Sequence, residues 1–325
     1  MERMKMGHKG DDLGDRMKMY EMREAGRRCL PLTPILVRLD GKNFSRFTKS
    51  LARPFDEGFV RLMWSVTEQL VAETGAKMGY TQSDEISLVL YSDDMRSQVF
   101  FDGRIQKLCS VLASAATAFF NGSDRDTLLP SKIGTGPALF DCRVWTVPNK
   151  TEAANAILWR ERDAYKNAIQ SAARSVYSHK ECHDKDTGEM IQMLSAKGIE
   201  FETHYPAYCQ RGTFFQRKTV TRKYTTEEID RLPLKHDART NPDLEIRRNE
   251  VKRCAMPPFD QVINRVEVIF DGAQFLVHPN YAHELHLKSL ASRGVDLGTL
   301  PQFNNCDNIS LYPFGVPFMG ESKEK

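Results

Sequence analysis

The sequence predicts an α+β protein with the ferredoxin-like order of elements, strand-helix-strand-strand-helix-strand. Three observations carry that expectation. A short β-like run, Ile35-Leu36-Val37-Arg38-Leu39, ends directly at Asp40-Gly41; two segments have apolar residues at helical spacing; and between them two short β-like runs are separated only by Ser83-Asp84-Glu85.

The first strand begins after the turn-forming Pro31-Leu32-Thr33-Pro34. Pro54 and Asp56 then introduce a helix whose apolar residues Phe59, Leu62, Met63, Val66, Leu70 and Val71 share one face, with Asp56 as N-cap and Gly75 as stop. Lys77–Gln82 and Ile86–Tyr91 suit a tight hairpin. A second helix is expected from Gly103 to Phe120, and Leu139–Val147 alternates as the fourth strand. Both helices would cover one face of an antiparallel sheet and leave the other open. Period-2 alternation puts Ile35, Val37 and Leu39 under the helices and Leu36, Arg38 and Asp40 on the open face. Asp40 and Asp84 then lie near one edge of it.

Further along, Thr151–Ser178 reads as a helix and Lys180–Lys197 as a polar connector with a short helix. Gly212–Thr219 alternates, Arg222–Arg253 is strongly charged with a Thr225-Glu228 capping-box start, and Val262–Phe270 reads as another strand before an irregular tail. The basic cluster Arg211, Arg217, Lys218, Arg222 and Lys223 alternates with Phe214, Phe215 and Tyr224, a pattern shared by solvated surfaces and nucleic-acid contacts.

Composition narrows the class. The chain has 325 residues, 46 Lys+Arg against 43 Asp+Glu and 41% hydrophobic residues, which excludes collagenous and wholly disordered proteins. The longest apolar stretch, Cys109–Phe120, is too short and too rich in Ser and Ala to span a bilayer. Met1–Arg28 is charged throughout, so no secretion signal is expected, and the 7 scattered cysteines read as reduced thiols of a cytoplasmic protein. A net charge of +3 does not by itself indicate a polyanionic partner.

Two carboxylates at the edge of an open sheet form a candidate site for Mg²⁺, which takes one or two carboxylates, a backbone carbonyl, water and substrate phosphates. Two such ions would align an in-line phosphoryl displacement. Asp-Gly is equally a common turn dipeptide and Ser-Asp-Glu an ordinary hairpin tip. His179, Cys182 and His183 lack a second ligand pair at zinc-finger spacing. Gly134-Thr135-Gly136-Pro137 lacks the Lys-Ser/Thr of a P-loop, and His278, His283 and His286 read as surface or packing residues.

The segments around the two acids, Arg38-Leu39-Asp40-Gly41-Lys42-Asn43-Phe44-Ser45-Arg46-Phe47 and Tyr80-Thr81-Gln82-Ser83-Asp84-Glu85-Ile86-Ser87, closely resemble signature segments of the tRNA-His guanylyltransferase family. The resemblance extends in register to Asp141-Cys142-Arg143-Val144, Trp159-Arg160-Glu161-Arg162-Asp163, Tyr205-Pro206 and Gln210-Arg211-Gly212-Thr213. It covers Asp15 to Lys218.

The resemblance implies a polymerase-like palm that adds nucleotides to the 5′ end of RNA in the 3′-to-5′ direction. Family members activate a 5′-monophosphorylated tRNA with ATP, then let the 3′-hydroxyl of GTP attack. By position, Asp40 and Asp84 would be carboxylate ligands for two Mg²⁺, Gly41 would contribute its carbonyl, and Glu85 would be the acid that follows the second ligand. Nucleotide contacts would come from Lys42, Asn43, Phe44, Arg53, Ser83, Arg104 and Lys107. RNA contacts would come from Asn167, Arg211 and Lys218. The resemblance also implies a homo-oligomer, a tetramer.

Where the eukaryotic enzymes carry His-Ile-Asn…Tyr-Asn, this chain has Asp163-Ala164-Tyr165-Lys166-Asn167-Ala168-Ile169-Gln170. That departure resembles the guanylyltransferase-like branch, which extends 5′-truncated tRNAs in a template-dependent way. The expected organisation is a catalytic core over residues 1–218 and a charged C-terminal extension over 219–325. A palm-fold nucleotide cyclase and a non-catalytic RNA-binding protein are the alternatives; the family-specific flanks disfavour the first, and the presence of both Asp40 and Asp84 the second.

Overall fold

Side chains of β1 (Ile35–Gly41) go alternately to two hydrophobic layers on the two faces of one sheet, Ile35, Val37 and Leu39 to one and Leu36 to the other. The computed structural model describes residues 12–97, 99–129, 136–241 and 243–283. The remaining elements that position the site are α1 (Asp12–Ala25), α2 (Glu57–Thr74), β2 (Met78–Gln82), β3 (Glu85–Leu90), α3 (Ile105–Phe120), β4 (Phe140–Thr146), α4 (Lys150–Val176), α5 (Thr187–Ser195), β5 (Thr213–Lys223), α6 (Thr226–Arg231), β6 (Glu245–Cys254) and α7 (Arg265–Phe270).

Among the described residues the sheet is six-stranded and antiparallel, in the order β4-β1-β3-β2-β5-β6. Its first four strands have the ferredoxin-like arrangement. Helices α2 and α3 cover one face. Ile35, Val37 and Leu39 pack there with Leu62, Val66 and Leu70 of α2 and Leu108 and Leu112 of α3. Each such side chain removed from water contributes about 1.5–3 kcal/mol. Local signals fix α2 at both ends: the Asp56 carboxylate accepts the Phe59 N–H at 2.9 Å, and Gly75 turns the chain out at φ 66°.

The second face is less open than the alternation implied. Leu36, Val89, Met78 and Tyr80 are buried against Ala153 and Ile157 of α4 and against Phe259, Val262, Val268 and Ile269. Toward the end that carries Asp40 the face is half-buried, at Arg38 and Asp40.

Three other expectations change. Val262–Phe270 follows a short 3₁₀ turn at Phe259–Gln261 and contains α7 rather than a strand. Its β-branched run packs as a helical face on α4, because Asn264 ties its start to the following loop, donating to the Gln274 carbonyl at 2.9 Å and accepting the Leu276 N–H at 2.7 Å. The charged stretch contains β6, whose apolar content is limited to Ile246, Val251 and Cys254 and which exists because it pairs with β5 over ten positions. The charged N-terminal region contains α1, which buries no residue. The 218/219 boundary falls inside β5, so residues on both sides of it share one sheet. Gly134, Thr135, His286 and Cys306 lie outside the described residues.

Candidate active site

Antiparallel pairing lines up side chains in rows across the second face. At the end where β1 stops, Asp40 pairs with Glu85 on one side and Asp141 on the other. The next row brings Arg38 between Ser87 and Arg143, and the row beyond is apolar, with Leu36 between Val89 and Trp145. An acidic edge, a basic strip and an apolar floor thus follow one another along β1.

Asp84 reaches this edge from the hairpin. The turn is reduced to Ser83 and Asp84, since Gln82 already pairs with Glu85, and Ser83 adopts the left-handed conformation at φ 53°. The Gly41 N–H donates to the Asp84 carbonyl at 3.2 Å, fastening the end of β1 to the hairpin tip. Gly41 is required sterically, because a Cβ there would lie 2.3 Å from the Phe44 ring.

Burial pushes the Asp84 carboxyl up to about 6, and the Asp40 charge adds to the rise; its own backbone amide and the Ser83 hydroxyl oppose it. Neither Asp40 nor Asp84 forms an ion pair among the described residues. Two neighbouring carboxylates without a cation, joined by the Gly41 backbone, make an all-oxygen donor set that suits a hard divalent cation. Among the described residues there is no group of three or more His, Cys, Asp or Glu side chains that could hold a metal ion.

Glu85 is engaged differently. Its carboxylate receives a two-pronged contact from Arg160, Nε to Oε1 at 2.5 Å and Nη2 to Oε2 at 2.7 Å, and Arg160 also meets Asp163 at 3.1 Å. Burial raises the Glu85 carboxyl, while Arg160 and Arg38 pull it back down. Glu85 therefore anchors α4 to the sheet beside the acidic edge. Arg160 also lies over the exposed Trp159 ring, 4.6 Å from its centroid.

The loop after β1 begins at the same edge. Lys42 and Asn43 are exposed, with the Lys42 N–H on the Leu139 carbonyl at 2.8 Å and Asn43 left-handed at φ 57°. The Phe44 ring is buried among Phe47, Phe59, Phe120 and Phe140, so Phe44 holds the loop from below and does not present its ring to a ligand. Arg53 is exposed just before α2.

Arg104 and Lys107 are not brought to this edge. The Phe120 end of α3 packs near Phe44, so Lys107 stands roughly 20 Å away along the helix. Lys107 lies 4.9 Å from the Phe101 ring centroid instead.

Asn167 is exposed on α4. Arg211 ends a short helix, Ala207–Arg211, where its carbonyl accepts the Tyr80 hydroxyl at 2.8 Å and its guanidinium faces Glu202 at 3.9 Å. Gly212 follows at φ 75°, where a Cβ would be 2.6 Å from the Thr81 carbonyl oxygen. Gln210 donates to the Glu202 and Tyr205 carbonyls at 3.0 and 2.5 Å. The Gln210-Arg211-Gly212-Thr213 segment thus folds the chain back against β2. Lys218 is half-buried on β5.

The sequence reading passed over Arg38 as a ligand. Its Nε is buried without a hydrogen-bond partner, one row behind Asp40. An Arg next to Asp-Gly at a strand end, on the same face by alternation, was the available signal.

The same segments carry the relationship to known proteins. The sequence model of the tRNAHis guanylyltransferase (Thg1) family matches residues 14–148. An uncharacterized protein of Acanthamoeba polyphaga mimivirus, R259, is 30% identical over 232 residues, 65% of this chain and 78% of its own. A probable tRNA(His) guanylyltransferase of Mus musculus is 27% identical over 221 residues, 63% of this chain and 71% of its own. Among solved structures, a bacterial tRNA(His) guanylyltransferase (Thg1)-like protein in complex with ATP superposes with a TM-score of 0.58 at 33% identity, over 64% of this chain and 87% of its own. A bacterial Thg1-like protein in complex with GTP gives a TM-score of 0.57 at 27% identity, over 77% and 94%. With 33% identity to a Thg1-like structure of which it covers 87%, the chain belongs to the tRNA(His) guanylyltransferase family.

Proposed function

We propose that this protein is a nucleotidyltransferase that extends the 5′ end of tRNA in the 3′-to-5′ direction, using ATP or GTP to activate the 5′ phosphate and a GTP-derived or templated nucleotide as the added unit. The observation that carries the reading is the pair Asp40 and Asp84, fastened together by the Gly41 hydrogen bond and left without a cationic partner among the described residues. Relatives described as tRNA(His) guanylyltransferases, and bacterial Thg1-like proteins in complex with ATP and GTP, support the substrates.

Asp40, the Gly41 carbonyl and Asp84 would hold two Mg²⁺. When bound, the ions neutralise phosphate charge and lower the pKa of the attacking hydroxyl. The chain's own residues do the rest. Arg38 offers an unpartnered guanidinium nitrogen to a phosphate oxygen. Lys42, Asn43 and Ser83 line the approach to the edge, and Arg53 presents a bidentate donor to a triphosphate. Glu85, held by Arg160, fixes α4 beside the reacting groups. Arg104 and Lys107 supply positive charge at the far end of α3. Asn167 and Arg211 would contact RNA beside α4.

The proposed organisation is a catalytic core over residues 1–218 and a C-terminal extension over 219–325 that share one sheet through β5. Among the described residues no helix is long and apolar enough to cross a membrane, and the reading places the enzyme in the cytoplasm as a homotetramer. The sequence at Asp163–Gln170 favours templated repair of truncated tRNAs over His-specific addition.

The purified protein with Mg²⁺ is expected to add labelled GMP, or another templated nucleotide, to a tRNA lacking its first residue. Asp40→Ala and Asp84→Ala should each abolish the addition; full activity in both would overturn the assignment. Formation of a cyclic nucleotide from NTP without RNA would point to a cyclase instead.

A further inference from the structure

Strands β5 and β6 outrun the rest of the sheet. The β2–β5 pairing ends at Gln216, opposite Met78, whereas β5 and β6 stay paired out to Lys223 and Glu245. Arg217 still donates its N–H to the Lys77 carbonyl at 3.3 Å, and beyond it residues 218–223 and 245–250 project as a two-stranded ribbon, roughly 20 Å long. It points away from the hairpin tip. Ser83 and Lys77 are at opposite ends of β2, so the ribbon starts roughly 20 Å from Asp84 and leads outward.

The ribbon is basic. With its root pair included, over 217–223 and 245–251, it carries Arg217, Lys218, Arg222, Lys223, Arg247 and Arg248 against two acids, Glu245 and Glu250. That local excess is larger than the +3 of the whole chain. Arg222 is taken up by Glu228 at 2.7 Å and Lys223 by Asp243 at 2.5 Å. Arg247 and Arg248, adjacent on the outer strand, are exposed, and among the described residues neither forms an ion pair.

A cavity of about 260 Å³ opens at the ribbon's root. Lys77, Arg217, Lys218 and Asn249 line it, together with Asp271 and Gly272. Arg217 is oriented by the Gly75 carbonyl, 3.3 Å from Nη1. Three cations against one carboxylate in a recess of that size suit a single phosphate group.

We propose that the β5–β6 ribbon and the pocket at its root form a second RNA-binding surface, which grips the phosphate backbone of the tRNA body while the 5′ end lies at Asp40 and Asp84. Contacts of this kind carry no sequence information and set register and orientation. The inference rests on the reading of tRNA as substrate. It adds that RNA affinity is divided between two sites at opposite ends of the sheet.

The test is equilibrium binding of full-length tRNA across a salt series, with Arg247→Gln/Arg248→Gln in one variant and Lys77→Gln in another. Each lost phosphate contact should reduce the slope of log affinity against log salt by about 1. Affinity for an acceptor-stem oligonucleotide too short to reach past Lys77 should stay at the wild-type value. Asp40→Ala, which removes the chemistry, should bind tRNA with the wild-type salt slope, so a failed catalytic reading and a failed ribbon are told apart. An unchanged slope in both ribbon variants overturns the proposal. So does a change in oligomeric mass on light scattering, which would make the ribbon an interface between copies.

Discussion

Arg38 stands one row behind Asp40 on β1, with its Nε buried and without a hydrogen-bond partner. A guanidinium nitrogen buried without a partner loses hydrogen-bond energy, and under the proposed function a bound phosphate would restore it at Arg38. Arg38→Gln is expected to lower kcat/KM for nucleotide addition by about 10²-fold with little change in melting temperature, read by steady-state kinetics beside calorimetry. Gly41→Ala should lower stability. The new methyl drives the Phe44 ring out of its cluster and costs about 1–3 kcal/mol, measurable in urea unfolding. Glu161 gives a pH signature. Burial raises its carboxyl to about 7, although its Oε2 accepts the Phe259 N–H at 2.8 Å. The folded state holds that proton more tightly than the unfolded chain. Stability from this group is therefore complete below about pH 4.5, falls as pH rises toward 7 and is flat beyond. Glu161→Gln should remove that fall, worth on the order of 1–3 kcal/mol between pH 5 and 8 in urea midpoints.

At the scale of elements, α4 is held to the sheet through Arg160 and Glu85, whose side chains are only 12% and 19% exposed. Arg160→Met strands the Glu85 carboxylate and should cost about 3 kcal/mol in chemical unfolding, whereas Glu85→Gln/Arg160→Met should recover much of it. What could be read beforehand followed how local each determinant was. Helix α2 has Asp56, Gly75 and an unbroken apolar stripe within its own span, and the sequence alone delimits it. Thr225 and Glu228 form the reciprocal cap that their spacing announced. In contrast, β6 has almost no apolar alternation and takes its conformation from β5, and the strand-like Val262–Phe270 becomes helical because α4 offers a surface for it. The site divides the same way. The placement of Asp40 and Asp84 at one sheet edge was legible because each adjoins a turn, whereas the Glu85–Arg160 contact joins residues 75 apart and becomes visible only with strand register and helix docking. The separation of Lys107 from the acidic edge likewise follows from which end of α3 meets Phe44.

For the molecule as a whole, one sheet carries both proposed activities. The proposed site of chemistry is at the tip of the β2–β3 hairpin, and the proposed RNA-binding ribbon leaves from the other end of β2. Residues beyond 218 also complete the core that buries Met78, Tyr80 and Phe214. Cutting the chain after Lys218 should therefore expose an apolar sheet face and yield aggregated protein on gel filtration. The Gly41–Asp84 hydrogen bond has a consequence of its own. It sets the spacing of the two acids through main-chain pairing, which persists or collapses with the sheet and does not soften side chain by side chain. Heat should then inactivate the enzyme in step with global melting: residual nucleotide addition after stepwise heating should follow the calorimetric transition, with no earlier decline of the active site alone.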